Sequence, residues 1–262
     1  MNSHLQDKNQ ARVVVMTAGG PNPAMVINAL RRDWPDLVVI EEAPESKLDI
    51  LRRRARKLGW IEATGQLATM VAARLLRKAA QKRTTEIAAQ YGLSTSLPPE
   101  VPVLPVPSIN SREALTHIAA LSPHVVLLVS TRLLSRSALS AMPCSVINLH
   151  AGINPTYRGQ MGGYWSLVED DRRAFGATVH LVDPGTDTGE TLYEVRTAPS
   201  KSDFISTYPM LLTAAAVESV RLAVEDAIAG RLQPLRPLGA SRLRFPPAIW
   251  TWLWHGLSKG IW

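Results

Sequence analysis

The sequence predicts an α/β fold in which a mostly parallel, twisted sheet is flanked by helices. Short β-branched runs typical of buried strands, over residues 11–17 and 37–40, enclose a helical segment over 25–34. The first run leads into a loop of turn-forming residues, Gly19-Gly20-Pro21-Asn22-Pro23, as at the first crossover of a doubly wound sheet. With 46% apolar and 19% charged residues, the 262-residue chain can form a sizeable core, which excludes a wholly disordered protein.

The remaining segments continue this alternation. Residues 47–89 are mostly strong helix formers, and two helices are predicted there, broken near Gly59 and Gly65. The Pro-rich stretch 97–107 is predicted to be a connector, and Ser111 to cap the N-terminus of the following helix. The other predicted elements are buried strands at 123–129 and 145–149, paired strands at 177–182 and 191–195, and a long helix over 208–228.

The net charge of +7 is concentrated in one segment. Between Arg52 and Arg83 there are ten basic residues and one acid, so this segment carries +9 and the rest of the chain −2. A sequence pI near 9.8 usually suggests nucleic acid or an anionic membrane as partner. Because the charge belongs to one segment, we expect no nucleic acid partner. We place the segment near a phosphorylated substrate, a partner subunit or an anionic membrane surface.

The composition excludes several classes of protein. Cys144 is the single cysteine, which excludes a disulfide framework and a zinc site built on paired cysteines. Residues 1–10 lack the apolar core of a signal peptide, and no run approaches the roughly eighteen apolar residues of a membrane span. We therefore expect a cytoplasmic protein.

The expected organisation is one catalytic domain over residues 11–230, with a basic helical insertion at about 47–92 and a C-terminal tail over 231–262. Packing on the core and self-association are the favoured roles of this tail, so a homodimer is one expectation. Peripheral contact with a membrane interface, where tryptophan is favoured, is the alternative. The tail holds four of the seven tryptophans, which are Trp250, Trp252, Trp254 and Trp262.

Polar residues with catalytic potential follow the later strands. The predicted strand that begins at Ser145 ends in Asn148-Leu149-His150, and alternation along a strand puts Asn148 and His150 on one face. Two polar side chains at the end of a buried strand are costly unless they are paired or functional. A glycine-rich loop comes next, and a later acidic turn contains Asp187.

Two strings, INLHAGINPTYRG and GATVHLVDPGTDTGETL, resemble the folate-dependent formyltransferases. This superfamily includes glycinamide ribonucleotide transformylase, methionyl-tRNA formyltransferase and the sugar-nucleotide N-formyltransferases. Its hallmark is an Asn-x-His at a strand end and an Asp in a later D-x-G loop, positions that Asn148, His150 and Asp187 occupy here. The likeness covers residues 125–195, and it implies a Rossmann-like fold with 10-formyltetrahydrofolate as the formyl donor.

The resemblance implies a role for each of these three residues. A primary amine attacks the formyl carbon and passes through a tetrahedral intermediate, to whose oxyanion Asn148 and a protonated His150 can donate hydrogen bonds. Asp187 can favour the protonated imidazole and relay the proton that leaves the amine, directly or through water. A metal cluster of His180, Asp183 and Asp187 is disfavoured because the formyltransferase pattern explains these residues, so no metal is expected.

The resemblance also suggests where folate binds. Arg132, Leu133 and Leu134 match the segment that cradles the pterin, and Asp183 lies in the turn that closes over it. A turn-capping role for Asp183 is the alternative.

Two loops supply candidates for binding the acceptor substrate. Gly19 and Gly20 resemble a phosphate-cradling turn before a helix, although a plain tight turn fits them equally well. Tyr157 and Arg158 can either contact an anion or only order their own loop.

The layout favours a sugar-nucleotide N-formyltransferase. Too few residues follow Gly230 for the tRNA domain of a methionyl-tRNA enzyme, and residues 1–10 leave no room for the regulatory domain of a deformylase. The expected acceptor is a GDP- or dTDP-linked 4-amino sugar, such as GDP-perosamine, used for surface polysaccharide such as the O-antigen of lipopolysaccharide. The alternatives are a glycinamide ribonucleotide transformylase-like enzyme and a non-enzymatic protein that binds anions or nucleic acid.

Overall fold

Strands and helices alternate around one large sheet, and the computed structural model describes residues 11–262. The strands are β1 (Val13–Thr17), β2 (Val38–Glu42), β3 (Val103–Val106), β4 (Val125–Val129), β5 (Ser145–His150), β6 (Arg158–Gly159), β7 (Gly176–Leu181), β8 (Thr191–Arg196) and β9 (Leu243–Arg244). The helices are α1 (Pro21–Leu30), α2 (Lys47–Leu58), α3 (Trp60–Leu75), α4 (Arg77–Gln90), α5 (Arg112–Leu121), α6 (Arg136–Ser140), α7 (Gly162–Val168), α8 (Tyr208–Ile228) and α9 (Ile249–Lys259).

The large sheet has the strand order β3-β2-β1-β4-β5-β7-β8. The first five strands in this order are parallel, and β7 and β8 add to the β5 edge as antiparallel strands. The carboxyl ends of β1, β4 and β5 therefore meet at one edge, where open α/β sheets bind ligands. This architecture confirms the predicted mostly parallel α/β fold.

Helices cover both faces of the sheet and enclose two apolar cores. Val13 and Val15 of β1 point into the larger core with α1 and α8, whereas Val14 and Met16 point into the smaller core with α5 and α6. This alternation follows from the two-residue period of a strand. The long helix α8 ends before Gly230, as predicted, and Ser111 caps α5 by accepting a hydrogen bond from the Ala114 amide.

The basic segment forms three helices, not the two that the sequence predicts. The break at Gly59 is confirmed, but the second break lies at Leu76, because Gly65 is inside α3. Gly65 is buried under the Trp250 ring, which leaves no space for a Cβ atom. The predicted connector over 97–107 contains the edge strand β3, whose Pro105 an edge position tolerates.

The C-terminal segment lies on the sheet domain. Strand β9 pairs in parallel with β6, and α9 packs against α3. The Tyr164 hydroxyl is 2.7 Å from His255 Nδ1, and Lys259 Nζ donates to the Val168 carbonyl at 2.6 Å. Within residues 11–262, no helix has the length and apolar character needed to cross a membrane.

Candidate active site

The three predicted catalytic residues meet at the carboxyl end of β5. Asn148 and His150 extend from the same side of this strand, and Asp187 lies in the turn between β7 and β8. Asn148 Nδ2 donates to Asp187 Oδ1 at 3.2 Å, and His150 Nδ1 lies 3.5 Å from Asp187 Oδ2. A single carboxylate, that of Asp187, thus contacts both strand residues.

His180 completes this cluster from the neighbouring strand. The antiparallel register of β5 and β7 places it opposite Asn148. His180 Nδ1 lies 2.8 Å from the Leu181 carbonyl, which can only accept, so Nδ1 carries the proton. His180 Nε2 is then the acceptor for Asn148 Nδ2 at 3.0 Å. The two protons of the Asn148 amide are thereby directed to His180 and Asp187, which fixes the orientation of the amide.

Asp187 is held ionised by its neighbours. Its side chain is only 14% exposed, and its Oδ2 accepts a 2.9 Å hydrogen bond from the Gly159 amide. Burial alone would raise the pKa of Asp187, but the neighbouring His150 and the hydrogen bond from the Gly159 amide lower this pKa to about 2. Its φ of 49° lies in the left-handed region, which aspartate tolerates better than most residues.

His150 is buried between the carboxylate and the following loop. Its Nε2 lies 2.8 Å from the Tyr157 carbonyl, and because a carbonyl only accepts, Nε2 is the donor. The ring therefore presents Nδ1 to Asp187. Sequence reasoning missed this backbone acceptor and the Gly159 amide, because neither depends on a side chain.

Tyr157 and Arg158, predicted to bind the acceptor, hold the loop in place in this structure. Tyr157 is buried, and its hydroxyl donates to Asp171 at 3.1 Å. Burial is the main cause that raises the pKa of Tyr157, and the negative charge of Asp171 raises it further. Arg158 donates to Ser241 Oγ at 2.8 Å and to the Thr186 carbonyl at 2.6 Å. Substrate contact by either residue stays a prediction.

The predicted folate residues lie on both sides of the catalytic strand. Arg132, Leu133 and Leu134 follow β4, and Asp183 follows β7, while β5 lies between these two strands in the sheet. Arg132 Nε is 3.1 Å from a carboxylate oxygen of Glu42, Leu134 is buried, and Leu133 is exposed. Folate contact by Arg132, Leu133 and Leu134 stays a prediction.

The turn after β7 is stabilised by Asp183. Its Oδ1 accepts hydrogen bonds from the Gly185 amide at 3.1 Å and from the Thr188 hydroxyl at 2.6 Å. The structure therefore shows the turn-capping role that the sequence left as an alternative. Folate contact by Asp183 stays a prediction.

The Gly19-Gly20 loop reaches the same edge of the sheet from β1. Both glycines have positive φ, 74° and 105°, and no side chain caps the N-terminus of α1 that follows. The Glu41 carboxylate lies beside Gly19, close enough to touch a Cβ atom placed there. Because this negative charge opposes phosphate, the loop's role in binding stays a prediction.

A pocket of about 230 Å³ opens beside His150. Its walls come from the loop after β5, from α7 and from the start of α8. The lining residues are His150, Ala151, Gly159, Gln160, Met161, Gly163, Tyr164, Ile205, Tyr208, Pro209 and Leu212. Most of these groups are apolar, so the pocket suits an uncharged part of a ligand. Among residues 11–262, no cluster of three metal-ligating side chains is present.

Comparison with known proteins shows the family of this chain. The formyl transferase family matches residues 64–208, which is more than half of the chain. The chain belongs to the formyl transferase family. The matched region contains all four residues of the cluster and begins inside α3, so the division into a core and an insertion over 47–92 stays a prediction.

Curated relatives in this family include methionyl-tRNA formyltransferases. The protein of Trichlorobacter lovleyi is 26% identical over 150 residues, covering 57% of this chain and 45% of the relative. That of Pseudomonas fluorescens is 30% identical over 135 residues, covering 51% of this chain and 42% of the relative. The chain thus spans less than half of the length of these relatives.

Solved formyl transferase structures share the fold. A sugar N-formyltransferase from Shewanella has a TM-score of 0.57 at 12% identity, over 90% of this chain and 77% of that protein. Glycinamide ribonucleotide transformylase 1 from Symbiobacterium toebii has a TM-score of 0.56 at 18% identity, over 90% of this chain and 93% of that protein. At such identities the likeness shows the Rossmann-like α/β fold alone.

Proposed function

We propose that this chain moves the formyl group of 10-formyltetrahydrofolate to the amino group of a nucleotide-linked amino sugar. The observation that carries the proposal is the contact of Asn148 and His150 with the ionised Asp187 at the carboxyl edge of the sheet. The cluster lies within the region that matches the formyl transferase family, which uses this folate as donor.

The chemistry proposed for the cluster is an acyl transfer. The acceptor amine attacks the formyl carbon, and negative charge develops on the formyl oxygen. The donors to that oxygen are an N–H of Asn148 and the Nε2–H of His150, so the oxygen competes with Asp187 for the Asn148 proton and with the Tyr157 carbonyl for the His150 proton. Asp187, ionised at neutral pH, accepts a hydrogen bond from the amine and guides the released proton through water to the departing folate nitrogen.

The pocket beside His150 supports a deoxy sugar as the acceptor. Its apolar walls from α7 and α8 fit a methyl group or a ring carbon without a hydroxyl, while the amine would lie towards Asp187. A GDP- or dTDP-linked 4-amino-dideoxy sugar has these features, and its use in surface polysaccharide synthesis is part of the proposal.

The test is to incubate the purified chain with 10-formyltetrahydrofolate and a panel of acceptors. The panel contains GDP- and dTDP-linked 4-amino sugars, glycinamide ribonucleotide and methionyl-tRNA, and mass spectrometry detects formylation. Formylation of an amino sugar that is lost in Asp187→Asn and kept in the exposed Arg112→Gln supports the proposal. Turnover with glycinamide ribonucleotide alone contradicts the sugar assignment, and formylation of none of the acceptors contradicts the activity.

Methionyl-tRNA is included for a specific reason. The curated relatives described above act on it by name, and several basic side chains of α2–α4 are exposed. Formylation of methionyl-tRNA in preference to every sugar would replace the proposed acceptor and leave the formyl transfer chemistry unchanged.

A further inference from the structure

Helix α3 turns an apolar stripe towards solvent. Ile61, Val71 and Leu75 are exposed, and Thr64 and Ala68 fill the positions between them. Their spacing of three and four residues puts all five on one side of the helix. Ile61 is 79% exposed and Leu75 76% exposed, so the stripe is not covered by any residue that the structure describes.

Helix α9 presents a second stripe of the same kind. Trp250, Leu253, Trp254 and Leu257 are spaced by three, one and three residues, and all four are exposed. Trp254 is 67% exposed and Leu257 78% exposed. The opposite side of the helix is anchored in the protein through the buried Trp252.

The two stripes lie on helices that pack against each other. The ring of Trp250 lies directly on Gly65 of α3 while Trp250 remains 47% exposed, so this residue connects α3 with the stripe on α9. An exposed apolar surface built from two helices is unusual in a protein that acts alone in water, and such surfaces mark sites of interaction. We call these residues the apolar face: Ile61, Val71, Leu75, Trp250, Leu253, Trp254 and Leu257.

Helix α3 and the helices α2 and α4 that contact it also carry basic side chains. Six of them are exposed and form no ion pair within the part of the chain that the structure describes: Arg52, Arg56, Lys57, Arg74, Lys78 and Lys82. Two other arginines of the same helices point inward, where Arg54 donates to Gln160 Oε1 at 2.8 Å and Arg83 binds Asp203. The exposed charge is therefore available to an external partner.

We propose that the apolar face docks on a membrane surface that contains anionic lipids. Tryptophan and leucine side chains enter the boundary between headgroups and acyl chains, and lysine and arginine are attracted to the anionic headgroups. A second copy of this chain is a poorer partner, because a symmetric contact would bring two strongly basic segments together. The proposal does not depend on the catalytic activity.

The experiment is co-sedimentation of the whole chain with lipid vesicles. One set contains phosphatidylcholine with about one quarter phosphatidylglycerol, and the other contains phosphatidylcholine alone. We expect binding to the anionic vesicles, at least about tenfold weaker binding to the neutral ones, and loss of binding at about 0.5 M salt, where charges are screened. A blue shift of tryptophan fluorescence should accompany binding.

Two pairs of variants separate the apolar and the electrostatic contributions. Trp254→Ser with Leu257→Ser should weaken binding at least about tenfold, and Arg56→Gln with Lys57→Gln by roughly fivefold for each charge removed. The matched controls are Leu238→Ser and Arg112→Gln, which are also exposed but lie outside the basic helices and α9. Both controls should bind as the unaltered chain does.

Three outcomes would overturn the proposal. The first is no binding to anionic vesicles at low salt, and the second is equal binding by the variants and the controls. The third is a dimer in light scattering that becomes a monomer in the Trp254→Ser, Leu257→Ser variant and does not bind vesicles. That result would make the apolar face a contact between copies of the chain.

Discussion

Polar side chains are buried and bonded at the end of strand β5, whereas on the helices α2–α4 most of them are exposed. At β5, Asn148 and His150 are both bonded to protein groups, and Asp187 is enclosed by the Asn148 and Gly159 donors and by the His150 and His180 rings. On the helices most basic side chains extend into solvent without an ion pair among the described residues. The cluster is thus held by fixed short contacts, whereas the helices present an exposed charge, and substitutions should separate the two.

The largest effect is expected from breaking the cluster. His150→Ala and Asp187→Asn should each lower formyl transfer by about a thousandfold or more, because an oxyanion donor or the carboxylate that orients the site is removed. Initial rates with 10-formyltetrahydrofolate and the preferred acceptor measure this effect. Arg56→Gln with Lys57→Gln should keep rates within about twofold; equal losses in both sets would erase the contrast.

The next largest effect concerns Arg83, an inward-pointing basic residue of α4. Its Nε and Nη2 donate to the two oxygens of the buried Asp203 at 2.8 and 2.9 Å. Burial alone would raise the pKa of Asp203, but Arg83 and neighbouring hydroxyl and amide donors lower it. Arg83→Ala leaves a buried carboxylate without its partner and should reduce the free energy of unfolding by about 3 kcal/mol. Urea unfolding measures this, with the exposed Arg52→Ala as control.

The third prediction concerns the pH dependence of stability. Because the pKa of Asp187 is lowered to about 2, its ionised form stabilises the folded state above the pKa of an unfolded aspartate, near 4. This contribution, about 2 kcal/mol, is lost as the pH falls from 4 to 2, and about half of it is gone by pH 3. The unfolding free energy of the unaltered chain should therefore fall more between pH 6 and about 3 than that of Asp187→Asn. Parallel curves would contradict the role of this charge.

The smallest effects are expected on the exposed side of the basic helices. Lys57→Gln and Lys78→Gln should change the free energy of unfolding by less than about 0.5 kcal/mol, because neither side chain bonds to another described residue. Thermal or urea unfolding checks this. A loss above about 1 kcal/mol would show that these charges act within the fold, as those of the β5 cluster do.

The sequence predicted the side chains of the candidate site better than their surroundings. Strand alternation placed Asn148 and His150 on one face, and the family pattern supplied Asp187 and the roles predicted for all three. His180 was considered only in a metal cluster that the sequence disfavoured, because its partnership with Asn148 depends on the antiparallel register of β5 and β7. The amide of Gly159 could not be foreseen, since a backbone group leaves no mark on residue type.

The fold shows the same division between local pattern and tertiary contact. The helix over 208–228 was predicted with its observed bounds because its apolar face repeats without interruption. Gly65 was misread as a helix break, although it is a contact point for Trp250. Glycine within a helix is ambiguous in sequence, because chain breaking and close packing both select it.

The pairing of β6 with β9 sets the minimal catalytic fragment. The Gly159 amide that holds Asp187 belongs to β6, and its neighbour Arg158 bonds to Ser241, just before β9. A fragment that ends at Gly230 keeps the whole large sheet and all four cluster residues, yet it lacks the strand that positions this amide. A fragment or transplant that carries the site must therefore include residues up to about 245.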